Sequence, residues 1–302
     1  MPQQLVSLIV LSYNRPGMLR KCLEGVTGQS YTPLEVIVVD NRSSASEEIR
    51  SIVAAHPRFR LIANDENLGF TGGMNTGIQA ATGHYVCLTE DDIILHENYV
   101  ARLVEFHEQR PEAGMLSGLQ LNYHAGTVRC RGGSFQLDGV FKFTIAGSGQ
   151  PFVADETQPF ATEFVPGSMI FARTALLRQL GGFRPEFFMY FEDLELCARI
   201  RRKDLPIYLV PAAMAWHVEP EGNGSGTSLQ YHRLKNFVTV YLLHARWSVL
   251  PEFFVRYGLL AWCRALLGDW SQLKALTRAW LWNLWNLPRL LSDRRGLGRA
   301  GL

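Results

Sequence analysis

Apolar runs of strand length alternate with amphipathic stretches along the first third of the chain. "LVSLIVLSY" (5–13) and "LEVIVVD" (34–40) are continuous runs rich in valine and isoleucine. Such runs are typical of strands that are buried on both faces of a mostly parallel sheet. "RFRLIAN" (58–64) and "HYVCLTED" (84–91) predict two further strands. Helical patterns separate the four strands, at "RPGMLRKCLEGVTGQ", "SEEIRSIVAAHP" and "TGGMNTGIQAAT".

This alternation predicts an α/β domain whose parallel strands are joined by right-handed crossovers through helices. In such domains ligands bind beyond the carboxyl ends of the strands. Three polar segments follow predicted strands, namely "SYNR", "VVDN" and "TEDD". The sequence therefore predicts a ligand site built from these three segments.

The second half of the chain is less regular. Residues 114–163 are rich in glycine and predict only short strands, at "VRCRGGSFQL" and "GVFKFTIAG". We interpret "EFVPGSMIFAR" as a strand and "PIYLVPAAMAWHV" as the last strand, and "EGNGSGTS" (221–228) as a flexible loop. Helices are predicted at "TALLRQLGG", at "FEDLELCARIRRKD" and from Tyr231 onward.

Composition limits the class of protein. The 302 residues are 47% hydrophobic, which is enough apolar material for a globular core. The five cysteines are scattered without metal-binding or redox spacing, which indicates free thiols in a reducing compartment. The N-terminus lacks the basic segment of a signal peptide, and no apolar stretch reaches the ~18 residues of a membrane span. We expect a cytoplasmic protein.

The net charge of +2 hides an uneven distribution. From Arg233 onward eleven Lys and Arg residues face three acids, and six of the seven tryptophans lie in this region. The preceding residues carry a net negative charge. An acidic body followed by a basic, Trp-rich tail suggests two separate roles.

Three adjacent acids, Glu90, Asp91 and Asp92, follow the fourth predicted strand. Carboxylates this close repel one another, whereas a divalent cation would turn the repulsion into attraction, and Mg²⁺ and Mn²⁺ favour carboxylate ligands. The alternative is a solvated turn, or acids that cap the helix after it. On the triplet alone, the two interpretations are equally supported.

Three further residues are candidates for chemistry, and each has an ordinary structural alternative. Asp40 ends an apolar strand and could accept hydrogen bonds from a nucleobase or ribose, although an Asx-turn is the favoured explanation for this residue taken alone. Glu192 and Asp193 begin a helix beside aromatic residues, where a carboxylate is either a general base or a partner of the helix dipole. His217 is either a metal ligand or a packed histidine.

The glycine-rich segment "NLGFTGGMNTG" (67–77) does not match GxGxxG, and the sequence contains no Walker A pattern. These absences weigh against a dinucleotide oxidoreductase and against a nucleoside triphosphatase. The segment still leads into a helix N-terminus, where close approach of the backbone to a ligand is expected.

The order of these segments carries more information than any one of them. "VSLIVLSYNRPGMLRKCLEGVTGQSYTPLEVIVVDN" is followed by "NLGFTGGMNTGI", "YVCLTEDD", "VPGSMIFARTALLRQLGGF", "FFMYFEDLELCARIRR" and "WHV". Over about residues 5–220 this order resembles glycosyltransferase family 2, a family of inverting, metal-dependent enzymes with the GT-A fold. The resemblance implies a catalytic domain over 1–230, with a nucleotide-sugar half (about 1–115) and an acceptor half (about 116–230), followed by a helical tail over 231–302.

The resemblance also implies roles for individual residues. Asp92 stands where the family places its principal ligand to Mn²⁺ or Mg²⁺, and His217 matches a late histidine that can ligate the same metal. Asp193 matches the catalytic base, with Glu192 beside it. Nucleotide-sugar contacts are implied for Ser12, Tyr13, Asn14, Asp40, Asn67 and Asp91. Glu90 is the weakest metal candidate, because the family usually has the shorter aspartate there.

These roles imply a single displacement. Asp193 would take a proton from an acceptor hydroxyl, whose oxygen attacks the anomeric carbon of a nucleotide diphospho-sugar and inverts its configuration. The whole-chain pattern most resembles bacterial rhamnosyltransferases that use a dTDP-L-rhamnose donor, while a UDP-hexose or UDP-N-acetylhexosamine donor is the alternative. The acceptor would be a saccharide or lipid-linked saccharide of surface polysaccharide synthesis.

The tail has two interpretations. Its Leu, Trp, Lys and Arg residues favour contact with the membrane surface, which would place a peripheral enzyme at the cytoplasmic face of the inner membrane. The alternative is a pair of helices whose tryptophans are buried against the catalytic domain or in a homodimer contact. A nucleic-acid partner is not expected, because the basic residues are embedded among Leu and Trp. A non-catalytic glycan-binding module is a lesser alternative to an enzyme.

Overall fold

The structure is a computed structural model and describes residues 3–138, 140–155, 157–218, 227–266 and 270–299. As far as β4, the chain alternates between strands and helices, as the hydrophobic pattern predicts. The elements are β1 (Val6–Ser12), α1 (Pro16–Thr27), β2 (Leu34–Asp40), α2 (Ser46–Ala54), β3 (Phe59–Ala63), α3 (Gly69–Ala80), β4 (Tyr85–Glu90), β5 (Ile93–Leu95) and α4 (Tyr99–Gln109).

The second part adds shorter strands, a helix that begins at Glu192, and a long final strand. The elements are β6 (Met115–Asn122), β7 (Val128–Cys130), β8 (Gly133–Gln136), β9 (Lys142–Ile145), β10 (Phe160–Thr162), β11 (Phe171–Arg173), α5 (Thr174–Gln179), α6 (Glu192–Arg201) and β12 (Ile207–His217).

The tail is helical. Its helices are α7 (Thr227–His244), α8 (Leu250–Phe253), α9 (Leu260–Leu266), α10 (Trp270–Trp285) and α11 (Leu287–Arg299), with a π-helical turn over Phe254–Leu259 between α8 and α9. The predicted loop over 221–228 lies outside the described residues up to 226, and its last two residues already belong to α7.

Eight strands form the main path of the central sheet, in the order β10-β12-β6-β11-β4-β1-β2-β3, and β5 and β7 extend it. β1 is parallel to both β2 and β4, and β12 is parallel to β6. The short β11 runs antiparallel between β4 and β6 and so joins the two parallel groups. This mostly parallel sheet flanked by helices confirms the predicted fold class.

The two faces of the sheet bury separate apolar layers because successive side chains of a strand point to opposite faces. Val6, Leu8 and Val10 of β1 pack in one layer with apolar residues of α1, α2 and α4. Ile9 and Leu11 lie in the other layer, together with residues of α3, α5 and α6. The strands are therefore apolar on both faces, which is why they appear in the sequence as uninterrupted runs.

Two local predictions differ from the structure. β6 is almost entirely buried, although its segment was included in the irregular region. Gly118 interrupts the apolar pattern of β6. A glycine is needed there, because an added Cβ would lie 2.0 Å from the Ala213 carbonyl oxygen. "EFVPGSMIFAR" is a strand only over Phe171–Arg173, and a 3₁₀ turn occupies Gly167–Met169. Pro166 cannot donate to a sheet ladder, which favours the turn.

The tail has its own apolar core, in which α7 packs against α10 and α11 around Tyr241, Phe253 and Trp280. Several other large apolar side chains of the tail are largely exposed, among them Trp285 (88%), Trp270 (75%), Leu259 (62%), Leu281 (60%) and Leu284 (53%). The tail therefore has both buried and exposed apolar side chains. Among the described residues, no helix is long and apolar enough to cross a membrane. All five cysteines are free thiols, as predicted.

Candidate active site

The three predicted polar segments meet at one edge of the sheet. In the parallel register Ser12 pairs with Asp40, and Leu11 pairs with Glu90, so β1, β2 and β4 end side by side. Asp91 continues from β4, and its backbone N–H donates to the Leu11 carbonyl at 3.0 Å. The acid triplet therefore lies next to the "SYNR" loop, as the strand order requires.

The acid turn is held by residues of that loop. Asp91 is fully buried, and its Oδ2 accepts hydrogen bonds from Ser12 Oγ at 2.8 Å and from the Tyr13 backbone N–H at 3.3 Å. Arg15 pairs with both aspartates, through an Nη2–Oδ1 contact of 2.7 Å to Asp91 and through Nη1 to Asp92 Oδ2. One guanidinium thus bridges the two buried carboxylates.

Sequence reasoning did not single out Arg15. The available signal was its place at the end of "SYNR", because an arginine beside one candidate loop can reach acids on the neighbouring one. Burial alone would lower the pKa of Arg15, but the charges of Asp91, Asp92 and Glu90 outweigh it and raise the pKa. Arg15 therefore stays charged and supplies the positive charge of this turn.

One arginine does not neutralise the whole cluster. Burial, assisted by the charge of Asp92, raises the pKa of Glu90 to about 8. Burial also raises the pKa of Asp91 to about 7, despite the nearby Arg15. At neutral pH Glu90 is therefore mostly protonated, and a neutral carboxyl is a poor ligand for a hard cation. This protonation supports the view that Glu90 is the weakest metal candidate of the three.

Asp92 and His217 face each other at the ends of β4 and β12. The Nε2 of His217 lies 3.9 Å from Asp92 Oδ1, and the Val218 backbone N–H donates to the Asp92 carbonyl at 2.8 Å. Asp92 Oδ1 is buried and has no hydrogen-bond partner. Since buried carboxylate oxygens are normally paired, this oxygen is suited to a cation that would also reach the imidazole.

A carboxylate oxygen and an imidazole nitrogen suit Mn²⁺, and the residues therefore fit such a metal. Within the described part of the chain, however, no group of three or more His, Cys, Asp and Glu side chains could hold a metal ion. A metal at Asp92 and His217 would need further ligands from water and from the phosphates of a substrate, which is the usual arrangement for Mg²⁺ with nucleotides.

Glu192 and Asp193 open α6 on the opposite side of the site. Asp193 Oδ1 accepts from the Leu194 backbone N–H at 2.7 Å, and its Oδ2 accepts from the Gly167 N–H at 3.4 Å. Burial raises the pKa of Asp193 to about 6, although these hydrogen bonds lower it. Burial and the charge of Asp193 raise the pKa of Glu192 far more. Asp193 is therefore mostly ionised at neutral pH, whereas its surroundings favour the neutral form of Glu192.

A cavity of about 870 Å³ connects these groups. Glu90, Glu192, Asp193 and His217 line it, together with the aromatic side chains of Phe143, Phe164, Tyr190 and Phe191 and with Arg129 and Arg233. The structure thus brings four of the predicted site residues to one cavity. The other predicted site residues do not line this cavity and lie at or beyond the strand ends next to it. They are Ser12, Tyr13, Asn14, Asp40, Asn67, Asp91 and Asp92.

Asp40 has the Asx-turn geometry that was its structural alternative. It is fully buried, and its Oδ1 accepts from the Ser43 N–H at 3.0 Å while its Oδ2 accepts from Ser46 Oγ at 2.6 Å. The carboxylate thus shapes the loop after β2 and the start of α2. A direct contact between Asp40 and a nucleoside would require one of these bonds to open.

The remaining nucleotide candidates belong to a hydrogen-bonded loop network. Asn14, at φ +57°, donates from its N–H to Ser43 Oγ at 2.8 Å and accepts from the Ser44 N–H at 2.7 Å. Asn67 is exposed and accepts at Oδ1 from Asn41 Nδ2 at 3.0 Å. Tyr13 is 41% exposed.

Asn41 is the centre of this network and was missed by sequence reasoning. It is buried and also accepts from Asn64 Nδ2 at 3.0 Å and from the Leu68 N–H at 3.1 Å. Its Nδ2 also donates to the Gly69 carbonyl at 2.9 Å. In sequence it is one polar residue beside Asp40, and only these four side-chain contacts distinguish it from an ordinary loop residue. The side chains of Tyr13 and Asn67 remain exposed.

A family model described as "Glycosyltransferase like family 2" matches residues 2–234 of this chain. The chain belongs to this family. The glycosyltransferase is 28% identical over 155 residues to "Glycosyltransferase GlyG" of Streptococcus pneumoniae serotype 4, covering 51% of this chain and 47% of that protein. It is 25% identical over 228 residues to "O-antigen biosynthesis protein RfbC" of Myxococcus xanthus, covering 71% and 17%. The chain thus spans less than half the length of either relative.

Solved structures share the fold of this glycosyltransferase. The mannosyltransferase PcManGT from Pyrobaculum calidifontis, in complex with GDP-Man and Mn²⁺, superposes with a TM-score of 0.58 at 20% identity, covering 95% of this chain and 88% of that one. GalNAc-T7 with UDP, GalNAc and Mn²⁺ gives a TM-score of 0.63 at 16% identity, covering 80% and 48%. The architecture is therefore that of GT-A-type glycosyltransferases.

Proposed function

We propose that this glycosyltransferase moves a sugar from a nucleotide diphospho-sugar to a saccharide hydroxyl, with inversion at the anomeric carbon. The observation that carries the proposal is the single cavity lined by both Asp193 and His217. His217 lies beside Asp92, where a donor diphosphate and its metal would bind, while Asp193 faces the same space from α6. A donor and an acceptor hydroxyl could therefore occupy one cavity between a metal end and a base end.

Asp193 is the general base in this proposal, and its neighbour is not. A base must be unprotonated at working pH, and a pKa near that pH gives it the best balance of availability and strength. Asp193, with a pKa of about 6, meets both conditions. Burial and the charge of Asp193 favour the neutral form of Glu192, which leaves Asp193 as the better base of the two. Proton transfer to Asp193 frees the acceptor oxygen to attack as the nucleoside diphosphate leaves.

The metal would be Mn²⁺ or Mg²⁺ on Asp92 and His217, where it would offset the charge on the leaving diphosphate. That both structural relatives were crystallised with Mn²⁺ supports this choice. Arg15 then holds Asp91, and through it the "SYNR" loop, in place. Tyr13, Asn14 and Asn67 are the proposed nucleoside contacts, while Asp40 and Asn41 hold the loops that carry them.

For the donor we propose dTDP-L-rhamnose, with a UDP-hexose or UDP-N-acetylhexosamine as the alternative. The proposal rests on the whole-chain resemblance to rhamnosyltransferases and is supported by a relative named for O-antigen biosynthesis. A second relative, 31% identical over 100 residues, is named "Succinoglycan biosynthesis protein ExoO" in Rhizobium meliloti. Both names favour an acceptor in the synthesis of surface polysaccharides.

We also propose that the tail contacts the cytoplasmic face of a membrane. The side chains in question are large exposed apolar residues of the tail: Leu259 in the π-helical turn and Trp270, Leu281, Leu284 and Trp285 of α10. Single exposed apolar residues are ordinary, whereas a concentration of large ones in one region favours an interaction surface. Tryptophan suits the membrane–water interface, and exposed basic residues such as Lys274 add attraction to anionic lipids.

A binding panel tests the proposed reaction. The protein is heated with dTDP-L-rhamnose, UDP-glucose and UDP-N-acetylglucosamine, each with Mn²⁺ and with EDTA. We expect one donor to raise the melting temperature only with Mn²⁺, because a ligand that binds the folded state stabilises it. The anomeric configuration of the transfer product, read by NMR, then tests inversion. A product that retains the donor configuration would exclude the single displacement.

A further inference from the structure

The backbone just before Glu192 and Asp193 is strained. In the pre-base segment, residues 186–191, Phe188, Tyr190 and Phe191 have φ values of +64°, +69° and +65°. Side chains larger than glycine rarely adopt this conformation, and a bulky aromatic residue there is an outlier. Three such residues in one short segment persist only if surrounding contacts hold them. The same segment sets where α6 begins and therefore where Asp193 lies.

The first turns of α7 supply those contacts. Asn236 is fully buried, and its Nδ2 lies 2.8 Å from each of the carbonyl oxygens of Phe187, Met189 and Tyr190. Lys235 Nζ donates to the Glu186 carbonyl oxygen. In a regular helix or strand such carbonyls bond backbone N–H groups, whereas here one side-chain amide contacts all three, and the Phe187 oxygen also accepts from the Met189 N–H at 2.7 Å. Asn236 thus supplies hydrogen bonds to backbone carbonyls that, in this strained segment, do not belong to a helix or a sheet.

Aromatic contacts repeat the same pairing. The imidazole of His232 stacks on Phe188 with ring centroids 4.9 Å apart. The guanidinium of Arg233 lies 4.3 Å from the centre of the Tyr190 ring, and Phe237 contacts Phe191 at 5.8 Å between centroids. Neighbouring residues of α7 therefore hold successive residues of the pre-base segment.

The catalytic domain closes the segment from the other side. The Thr71 N–H of α3 donates to the Phe188 carbonyl at 3.2 Å. Gly69, at φ +68°, approaches so closely that an added Cβ would lie 2.4 Å from that same oxygen. The segment is therefore confined between α3, which belongs to the nucleotide-sugar half, and α7, which begins the tail.

We propose that Asn236 is a positioning residue for the transfer reaction, acting from the tail on the backbone that places Asp193. This inference rests on the proposed function, in which Asp193 is the base. The tail then has a catalytic role that is separate from any contact with a membrane. Removal of the tail would consequently abolish turnover even with a water-soluble acceptor.

The kinetic test compares Asn236→Ala with Asn283→Ala in the full chain. Asn283 is an equally buried asparagine that bonds the Lys235 carbonyl and Thr239 on α7, but it makes no contact with the pre-base segment. We expect Asn236→Ala to lower kcat about 10²-fold, as small displacements of catalytic groups do. The dissociation constants of UDP and dTDP with Mn²⁺, measured by calorimetry, should change less than about twofold. Asn283→Ala should retain kcat.

Equal kcat values for wild type and Asn236→Ala, or equal losses in both variants, would overturn the inference. Hydrogen exchange by mass spectrometry provides a test that needs no substrate. Amides of residues 186–193 should exchange faster in Asn236→Ala and at the wild-type rate in Asn283→Ala. If wild type transfers no sugar, the proposed function fails, while the exchange data still decide whether Asn236 holds the segment.

If Asn236→Ala does not fold, His232→Ala replaces it in both measurements, because this change removes the stacking on Phe188 without emptying the buried amide site. The expected losses have the same direction and are smaller. Unchanged exchange in residues 186–193 together with an unchanged kcat in His232→Ala would then contradict the inference.

Discussion

Two single substitutions, Asp193→Asn and Glu192→Gln, test which of the two carboxyls at the start of α6 is the general base. Asparagine keeps the shape of aspartate but cannot accept a proton at working pH. Glutamine has the shape of a protonated glutamate, which is the form of Glu192 that burial and the charge of Asp193 favour by raising its pKa well above the usual range. The two substitutions are therefore alike chemically but should differ in effect.

The structure limits the cost of Asp193→Asn to folding. The amide oxygen can still accept from the Leu194 N–H at 2.7 Å, so only the longer 3.4 Å bond from the Gly167 N–H is lost. A single hydrogen bond contributes about 1 kcal/mol, and one this long should contribute less. The catalytic cost is larger, because a general base contributes about 10²–10⁴-fold in rate. That range equals about 3–5 kcal/mol of transition-state stabilisation.

The assay measures transfer of a radiolabelled sugar at saturating donor between pH 5 and 8, with parallel melting curves. For wild type, kcat/KM should fall about tenfold per pH unit below about 6, because protonation of Asp193 removes the base. At pH 7 the kcat of Asp193→Asn should be about 10²–10⁴-fold lower than that of wild type, and its activity should not decline further at low pH. The kcat of Glu192→Gln should remain within about threefold of wild type, and its activity should show the same decline below pH about 6.

Two results would refute this reasoning. If Asp193→Asn keeps more than about a tenth of wild-type kcat at pH 7, Asp193 is not the base. If Glu192→Gln loses as much activity as Asp193→Asn, Glu192 is ionised in the working enzyme and the assigned protonation states are wrong.

Three further perturbations follow from named contacts. Arg15→Gln should destabilise the protein by about 2 kcal/mol in EDTA, which is less than the ~3–5 kcal/mol of a fully buried ion pair because Arg15 is 29% exposed. Mn²⁺ should raise the melting temperature of this variant more than that of wild type, and equal melting curves of the two proteins in EDTA would argue against the bridge. Gly69→Ala should cost more than about 2 kcal/mol and lower kcat, since its Cβ would meet the Phe188 carbonyl. Gly17→Ala, with open space around it in α1, is the control in urea unfolding and should not lose stability, because alanine favours a helix more than glycine does. Leu284→Gln with Trp285→Gln should reduce co-sedimentation with anionic vesicles and leave the melting temperature unchanged, and undiminished sedimentation would remove the membrane proposal.

Contacts between distant segments explain what the sequence did not reveal. Arg15 looked like a loop arginine because its partners lie about eighty residues further along the chain. Asn236 looked like a polar residue in an amphipathic tail, yet it is fully buried against carbonyls of the pre-base segment. A side chain that bonds backbone carbonyls has no complementary residue type to search for, so such a contact leaves no pattern in the sequence.

The tail also required the tertiary structure. Its leucines and tryptophans recur at helical spacing, but Leu276 and Trp280 are buried against α7 while Leu284 and Trp285 are exposed. Hydrophobic spacing predicts a helix with an apolar face, and it does not determine which part of that face another helix covers. That choice depends on where α7 and α11 lie.

The sequence by itself determined the parallel strands and the positions of the acids at their ends. Strands buried on both faces must be apolar throughout, and ligand-binding residues follow their carboxyl ends. For this reason β1, β2 and β4 and the polar segments after them can be recognised from the sequence alone. Only the tertiary structure decided that Asp193 and His217 line one cavity, that Arg15 bridges Asp91 and Asp92, and that the tail contacts the segment before Glu192. These arrangements depend on how separate elements pack, and packing is a property of the folded chain rather than of any segment.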